Sequence, residues 1–234
     1  MNKGIIYYTD NLLDEPLFSI VQMYIYRHSS LPIVSSSLKP IRFGENQVVS
    51  RKRGYVTYIK QIISCLERST AKYVFFCEHD VLYSSSHFDF VPPRDDTFYY
   101  NENVWRWKLG TDTAVRYDRM LPLSCMCANR ELALSHFRIK EAKINEIGED
   151  KFNSKEPSLA RKWGYEPGTK SIRRGGLTDD KFDTWFSEIS NIDIRHDKTF
   201  SSPKIEIEEF KHKPKWWTKI VTSEIIEWNL DKFI

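Results

Sequence analysis

A short apolar run that ends abruptly in three ionisable residues constrains the fold of this chain more than any other stretch. The run Tyr73–Cys77 contains aromatic and β-branched residues, a pattern typical of a strand buried on both faces. Glu78, His79 and Asp80 follow it directly. Ionisable groups at the end of a buried strand are costly unless they have partners, and ligands of open α/β sheets bind beyond the carboxyl ends of strands. The sequence therefore predicts a central strand whose acidic end faces a cleft.

The two carboxylates of this stretch are candidate metal ligands. Side chains two residues apart on an extended segment lie on the same side, so Glu78 and Asp80 can reach one divalent cation. Oxygen ligands suit Mg²⁺ or Mn²⁺, which commonly bridge protein carboxylates to substrate phosphates. His79 points the opposite way, and we interpret it as a residue that packs behind the ligands. The alternative is that the acids cap the next helix or face water.

The first third of the chain predicts a parallel sheet. Strand Gly4–Tyr8, a helix with its N-cap at Asp14 and strand Leu31–Ser35 give a β–α–β order, which favours a right-handed parallel crossover. Residues Ser36–Gly54 are predicted to form a long polar loop, and Tyr55–Ser69 a helix that leads into the central strand. The predicted fold class is α/β, with a Rossmann-type mixed sheet that is mostly parallel in its N-terminal half.

The later part of the chain predicts a smaller antiparallel extension. Short strands are expected at Thr97–Tyr100, Val104–Trp107 and Ala114–Tyr117, separated by polar or glycine-containing turns. Thr178–Trp185 is interpreted as a short acidic helix. Asn191–His196 alternates apolar and polar residues like an edge strand and ends on a histidine.

Composition narrows the class of protein without deciding its function. The 234 residues include 41% hydrophobic residues, which is enough for a sizeable core, and 35 basic residues nearly balance 32 acidic ones. No apolar run reaches the length of a membrane span, and the N-terminal apolar stretch is too short for a signal peptide. The four cysteines show no zinc-site spacing. These features predict a cytoplasmic protein with reduced thiols, no membrane anchor and no evident protein partner.

Three sequence features, taken in order, carry a family resemblance. They are Thr9-Asp10-Asn11 after the first strand, the acid-x-acid motif Glu78-His79-Asp80 and the stretch NIDIRH that ends at His196. Together they resemble a GT-A-fold glycosyltransferase of the small type found among phages and microbes, in which case the location is the host cytoplasm. The resemblance covers roughly residues 3–200, although the glutamate in first place departs from the commonest form, Asp-x-Asp.

This resemblance implies a nucleotide-sugar donor, with UDP-glucose favoured, and a Mn²⁺ or Mg²⁺ ion. Glu78 and Asp80 would hold the ion, with His196 as a third ligand and His79 beside them in the donor site. It also implies a donor-binding half at about residues 1–90, an acceptor half at about 91–200 and a basic, aromatic appendage at 201–234.

Further donor contacts are predicted on two loops. Thr9, Asp10 and Asn11 follow the first strand and would face the nucleobase and ribose, although Asp10 equally suits an Asx turn. Arg51 and Arg53 could contact the diphosphate, because guanidinium groups suit phosphate. The alternative for both arginines is a solvated loop.

A catalytic base is required if the reaction inverts the sugar's anomeric centre. The candidates are Glu166, Asp179, Asp180 and Asp183, and Asp179 and Asp180 equally suit the cap of the short helix predicted there.

The acceptor is predicted from cations that alternate with aromatic residues, a pattern suited to nucleic-acid backbones and bases. The candidate residues are Lys170, Arg173, Arg174, Lys213, Lys215 and Trp216. We hypothesise a hydroxymethylated pyrimidine in DNA as the acceptor. A saccharide or other glycan acceptor remains open, as does a non-catalytic nucleic-acid-binding module on the same fold. A sugar-nucleotide pyrophosphorylase is disfavoured, because no glycine-rich loop follows the first strand.

Overall fold

The computed structural model describes residues 2–153, 164, 166–169, 178, 180–199 and 204–230, which form two β-sheets with helices packed against them. In chain order the elements are β1 (Lys3–Thr9), α1 (Leu17–His28), β2 (Ile33–Ser37), β3 (Glu45–Val48), α2 (Tyr55–Arg68), β4 (Tyr73–Glu78), β5 (Val81–Leu82), α3 (Ser85–Asp89), β6 (Thr97–Asn101), β7 (Val104–Lys108), β8 (Thr113–Tyr117), β9 (Met126–Asn129), α4 (Arg130–Ile147), α5 (Glu149–Asn153), β10 (Lys181–Trp185), β11 (Asn191–Arg195) and β12 (Trp217–Val221).

The larger sheet has the strand order β10-β6-β9-β4-β1-β2-β3. Strands β4, β1, β2 and β3 are parallel neighbours, whereas β9 runs antiparallel to both β4 and β6. The predicted α/β class, with a mixed sheet that is mostly parallel in its N-terminal half, is confirmed.

Both faces of the central strands are buried, which explains the continuous apolar run in the sequence. On β4, Phe75 and Cys77 lie in the same apolar cluster as Val21 of α1. Phe76, which points the other way, lies with Ile59 of α2 in a second cluster. Full burial of one such aromatic side chain stabilises the fold by about 1.5–3 kcal/mol. A strand with helices on both faces has no room for a polar residue until it ends.

The smaller sheet, with the order β12-β8-β7-β11-β5, begins where the central strand of the larger sheet ends. After Glu78 the chain turns through His79 and Asp80 into β5, which pairs antiparallel with β11. The amide of Ile194 donates to the carbonyl of Asp80 at 2.8 Å. This junction brings the end of β11, and therefore His196, to the carboxyl end of β4.

Several sequence predictions about single elements are wrong. Thr178–Trp185 does not form a helix, because Lys181–Trp185 is strand β10 and pairs parallel with β6. Alternating aromatic and polar residues favour that pairing. Strand β3 lies inside the predicted loop Ser36–Gly54, and β11 lies between β7 and β5 rather than at an edge. Asp14 does not cap α1, which begins at Leu17; its carboxylate instead pairs with Lys198 at 2.6 Å.

The described part of residues 201–234, predicted to be an appendage, packs closely against the rest of the chain. Strand β12 pairs antiparallel with β8. Trp228 is buried beside Tyr24 of α1, and its indole donates to the carbonyl of Ser190 at 2.7 Å. Among the described residues, no helix is long and apolar enough to cross a membrane.

A buried polar cluster joins α3 to the two sheets, and it predicts a large stability effect. The Asn191 amide lies 3.1 Å from Nδ1 of His87, and its oxygen accepts from the backbone of Ser84 at 3.0 Å. Asn191→Ala is expected to lower the free energy of unfolding by about 2–4 kcal/mol, because buried polar groups lose their partners. Urea unfolding measures this, with exposed Asn2→Ala as the matched control. Equal effects of the two substitutions would contradict a structural role for the cluster.

Candidate active site

A cavity of about 340 Å³ lies at the carboxyl ends of β1 and β4, facing the smaller sheet. Its charged lining residues include both signs. The acids are Asp10, Glu78, Asp80, Glu166 and Asp193, and the cations are Arg53, Arg106, Arg195 and Lys198. The position agrees with the general tendency of α/β sheets to bind ligands beyond the carboxyl ends of their strands.

Three potential metal ligands lie close together at this end of the sheet, and two of them, His79 and Asp80, line the cavity. His79, Asp80 and His196 each offer one ligand atom, and these atoms lie within 4.8 Å of one another. His79 and Asp80 come from the turn after β4, and His196 follows the last residue of β11. The long-range pairing of β5 with β11 is what brings His196 to the other two.

The ligand set fits a divalent cation because each of its three residues has one buried polar atom without a partner. Among the described residues, Oδ1 of Asp80, Nδ1 of His79 and Nε2 of His196 are buried without a hydrogen-bond partner. The separation of 3.8 Å between Nε2 of His196 and Oδ2 of Asp80 is too long for a hydrogen bond. Buried polar atoms are rarely left unsatisfied, and a shared cation would satisfy all three.

The charge state of Asp80 also suits cation binding. Burial alone would raise the pKa of its carboxyl, but the neighbouring His196 and electrostatic interactions with His79 and Arg195 lower the pKa below its ordinary value. Asp80 is therefore an anion at neutral pH, although its side chain is almost fully buried. A buried carboxylate of this kind requires compensating positive charge.

Glu78, predicted as a metal ligand, lies beside this set rather than in it. Its Oε1 accepts a hydrogen bond from the Tyr8 hydroxyl at 2.9 Å. Burial, together with the negative charge of Asp80, raises the pKa of Glu78 to about 8. The physical reason for its placement is the turn at His79 and Asp80. Because the backbone is no longer extended there, the same-side rule for alternate residues does not hold.

The three residues predicted after β1 take different positions. Asp10 lines the cavity, and its Oδ1 lies 3.6 Å from Nε2 of His79 while also accepting from the backbone of Leu12 in an Asx turn. Thr9 also lines the cavity, and its hydroxyl accepts from the Asn11 backbone at 3.0 Å. Asn11 instead binds the loop after β2, where its Oδ1 accepts from two backbone amides.

The two arginines predicted to contact the diphosphate are separated by the fold. Arg53 lines the cavity, and its Nε pairs with Oδ2 of Asp10 at 2.7 Å. Arg51 is not among the described cavity-lining residues and instead pairs with Glu149 of α5. Only Arg53 of the two is therefore placed to contact a ligand in the cavity.

A buried ion-pair network on the smaller sheet lines the opposite wall, and we did not predict it. Nε of Arg106 on β7 donates to Oδ2 of Asp193 on β11 at 2.9 Å, and Arg195 contacts the other oxygen at 3.2 Å. Arg106 and Asp193 are directly paired in register. The sequence did contain a signal, because each of these two apolar strands carries charged residues between apolar ones, as in Trp105-Arg106-Trp107. Burying such a charge is costly unless it pairs with an opposite charge.

The candidate bases also lie apart. Glu166 lines the cavity, and its negative charge acts on Arg106. Asp180 is not among the described lining residues; its Oδ2 lies 2.6 Å from Nδ1 of His136 on α4. Asp179 lies outside the described residues. Glu166 is thus the candidate that the structure brings to the cavity.

The residues predicted to contact nucleic acid are described only in part. Lys170, Arg173 and Arg174 lie outside the described residues. Lys213, Lys215 and Trp216 are exposed and lead into β12.

A buried lysine on α4 predicts a pH dependence of stability. Burial lowers the pKa of Lys140 from 10.5 to about 8, while the carboxylates of Glu166 and Asp180 oppose this. Between pH 8 and pH 10.5, the Lys140 side chain therefore stays protonated in the unfolded chain but loses its proton in the folded chain. The free energy of unfolding should rise with pH across that window by about 3 kcal/mol. His136, on the same helix, has its pKa lowered to about 4 and stays neutral there.

Urea unfolding of the wild type and Lys140→Met from pH 7.5 to 10.5 measures this contribution. The other titrating groups cancel in the difference between the two proteins. The free energy of unfolding of the wild type is expected to rise relative to that of Lys140→Met as the pH rises. A difference that stays constant with pH would contradict the lowered pKa.

Comparisons with known proteins find similar solved structures. No protein-family model matches the chain, and no curated protein sequence matches it. The apo-form glycosyltransferase GlyE of Streptococcus pneumoniae TIGR4 is structurally similar, with a TM-score of 0.40 and 12% sequence identity. The match covers 76% of this chain and 46% of that chain, so this chain spans about half of GlyE's length.

Proposed function

We propose that this protein is a metal-dependent glycosyltransferase that moves a hexose from a nucleotide sugar, with UDP-glucose favoured, to an acceptor hydroxyl. The observation that carries the proposal is the set His79, Asp80 and His196, each of which has a buried polar atom without a hydrogen-bond partner. Two of these residues, His79 and Asp80, line the charged cavity. A cation site beside cationic side chains, at the carboxyl end of a parallel sheet, suits a diphosphate.

Mn²⁺ is the ion that we propose for this site. Mg²⁺ prefers an all-oxygen octahedral shell, whereas two imidazoles and one carboxylate favour a transition-metal dication. When bound, the ion supplies positive charge beside the diphosphate as its negative charge develops.

The protein's own cations would orient the diphosphate. Arg53 lines the cavity while paired with Asp10, and Lys198 lines it while paired with Asp14. These pairs hold long side chains in one geometry, which lowers the entropy lost when a ligand binds. Arg106 and Arg195, fixed by Asp193, provide a similarly rigid positive wall.

Glu166 is the proposed catalytic base. The acceptor oxygen forms a bond to the anomeric carbon, and the bond between that carbon and the phosphate oxygen breaks. The electron pair leaves with the nucleoside diphosphate, and the Glu166 carboxylate takes the acceptor proton. A single displacement of this kind inverts the anomeric centre.

DNA with a hydroxymethylated pyrimidine is the acceptor that we favour. The exposed residues Lys213, Lys215 and Trp216 precede Trp217, which pairs in register with Tyr117, a residue that lines the cavity. Cations beside an exposed indole suit a phosphate backbone and an unstacked base. Transfer of labelled glucose to hydroxymethylated DNA would support this acceptor, and transfer to oligosaccharides alone would exclude it.

The proposed reaction is tested by release of UDP from UDP-glucose in the presence of Mn²⁺, Mg²⁺, Zn²⁺ or Fe²⁺. Turnover that requires a metal and is highest with Mn²⁺ is expected. Two histidines and one carboxylate also bind Fe²⁺ in non-haem oxygenases. Selective Fe²⁺ binding without turnover of any nucleotide sugar would therefore contradict the proposal.

A further inference from the structure

The segment that carries Glu166 is held by side chains from three different elements. Their donors reach backbone carbonyls on either side of Glu166. The contacts are Lys140 Nζ to the carbonyl of Gly164 at 3.0 Å, Tyr55 hydroxyl to the same carbonyl at 3.4 Å, and Tyr100 hydroxyl to the carbonyl of Pro167 at 2.6 Å. These residues belong to α4, α2 and β6 respectively.

Lys140 is the unexpected member of this group. It is only 1% exposed, and the carboxylates of Glu166 and Asp180 act on its charge. Lysine is among the residues least often buried, because its ammonium group loses hydration. An apolar side chain of similar volume would avoid this cost, but it could not donate to the Gly164 carbonyl. A buried cation near the proposed base suggests a role in catalysis.

The backbone after Glu166 is also restricted. Gly168 has a positive φ of 78°, and a Cβ atom there would lie 2.9 Å from the carbonyl oxygen of Lys181 on β10. The Thr169 hydroxyl donates to the carbonyl of Glu166 at 3.0 Å. The close contact with β10 and the donors from α2, α4 and β6 together fix where Glu166 enters the cavity.

We propose that Lys140 is a positioning residue, which holds Gly164 and the adjoining segment so that the Glu166 carboxylate faces the cavity. This inference rests on the proposed function for the catalytic role of Glu166. Misplacement of a reacting group by about 1 Å can reduce a rate about 100-fold. Loss of Lys140 should therefore affect the chemical step and not donor binding.

The test compares Lys140→Met with Lys140→Gln, two side chains of equal length that are one atom shorter than lysine. Methionine removes the hydrogen-bond donor, whereas glutamine keeps one. Lys143→Met is the matched control, because Lys143 lies on the same helix but pairs with Glu146 at the surface. Hydrolysis of UDP-glucose with Mn²⁺ gives kcat and KM, with water as acceptor. Hydrogen exchange of a peptide spanning residues 164–169 reports the segment's protection independently of activity.

Lys140→Met is expected to lower kcat about 10- to 100-fold, with KM for UDP-glucose little changed and faster exchange at residues 164–169. Lys140→Gln should show a smaller loss of kcat and slower exchange at residues 164–169 than Lys140→Met. Lys143→Met should resemble the wild type. In a Glu166→Gln background, Lys140→Met should cause no further loss of kcat.

Two results would overturn the positioning role. One is unchanged exchange in Lys140→Met, and the other is an equal fold-loss of kcat with and without Glu166. Failure of the proposed function is distinguishable from these results, because then the wild type turns over no nucleotide sugar.

Discussion

Asp80→Ala is expected to weaken Mn²⁺ binding at least 100-fold and to abolish turnover of UDP-glucose. Asp80 is the only carboxylate of the three-residue ligand set in the described part of the chain. Its removal leaves two imidazoles, which bind a cation without neutralising it. Even residues that only support metal ligands change affinity about 10- to 100-fold, so a direct ligand should matter more. Isothermal titration with Mn²⁺, in the presence and absence of UDP, measures the effect.

The control for Asp80→Ala is Asp183→Ala, which removes an exposed aspartate on β10 that pairs with Arg94. Circular dichroism and thermal unfolding establish that both variants are folded. Wild-type Mn²⁺ affinity in Asp80→Ala would show that the ion binds elsewhere.

Glu166→Gln is expected to lower kcat about 10²- to 10⁴-fold, the usual contribution of a general base. The KM for UDP-glucose and the affinity for Mn²⁺ should stay within about threefold of the wild type, because the base acts in the transition state and does not bind the donor or the ion. Azide offers a direct test, since its anion attacks the anomeric carbon without losing a proton. Azide should therefore restore turnover in Glu166→Gln.

The matched control for this substitution is Glu188→Gln, at an exposed glutamate that is not among the described cavity-lining residues. Its kcat should equal that of the wild type. If Glu166→Gln retains full kcat with water as acceptor, another group takes the proton and the assignment of the base is wrong.

The fold was largely predictable because its signals are local. The apolar run Tyr73–Cys77 and the amphipathic helix Tyr55–Ser69 each follow from periodicity within one segment. The strand Lys181–Trp185 was missed because a strand of this sheet depends on its neighbour β6, which is distant in sequence. Pairing between distant segments overrides short-range preference.

The cavity was predictable in position but not in detail. The acidic end of a buried strand located the cavity. An extended strand would place Glu78 on the same side as Asp80, but because the chain turns after Glu78, it is His79 that lies near Asp80. The pairing of Arg106 with Asp193 depends on the register between β7 and β11. The charged residues on these apolar strands indicate that each needs a partner, but no local pattern specifies the register that decides which residues pair.

The most direct test of the metal site is crystallography at the manganese absorption edge, on crystals grown with Mn²⁺ and UDP. It shows whether one cation binds both to the turn after β4 and to the end of β11. We predict an anomalous peak within bonding distance of the Asp80 carboxylate and of the imidazoles of His79 and His196. A peak elsewhere in the protein, with Asp80 paired only to His196, would contradict the proposed metal site and the transferase mechanism built on it.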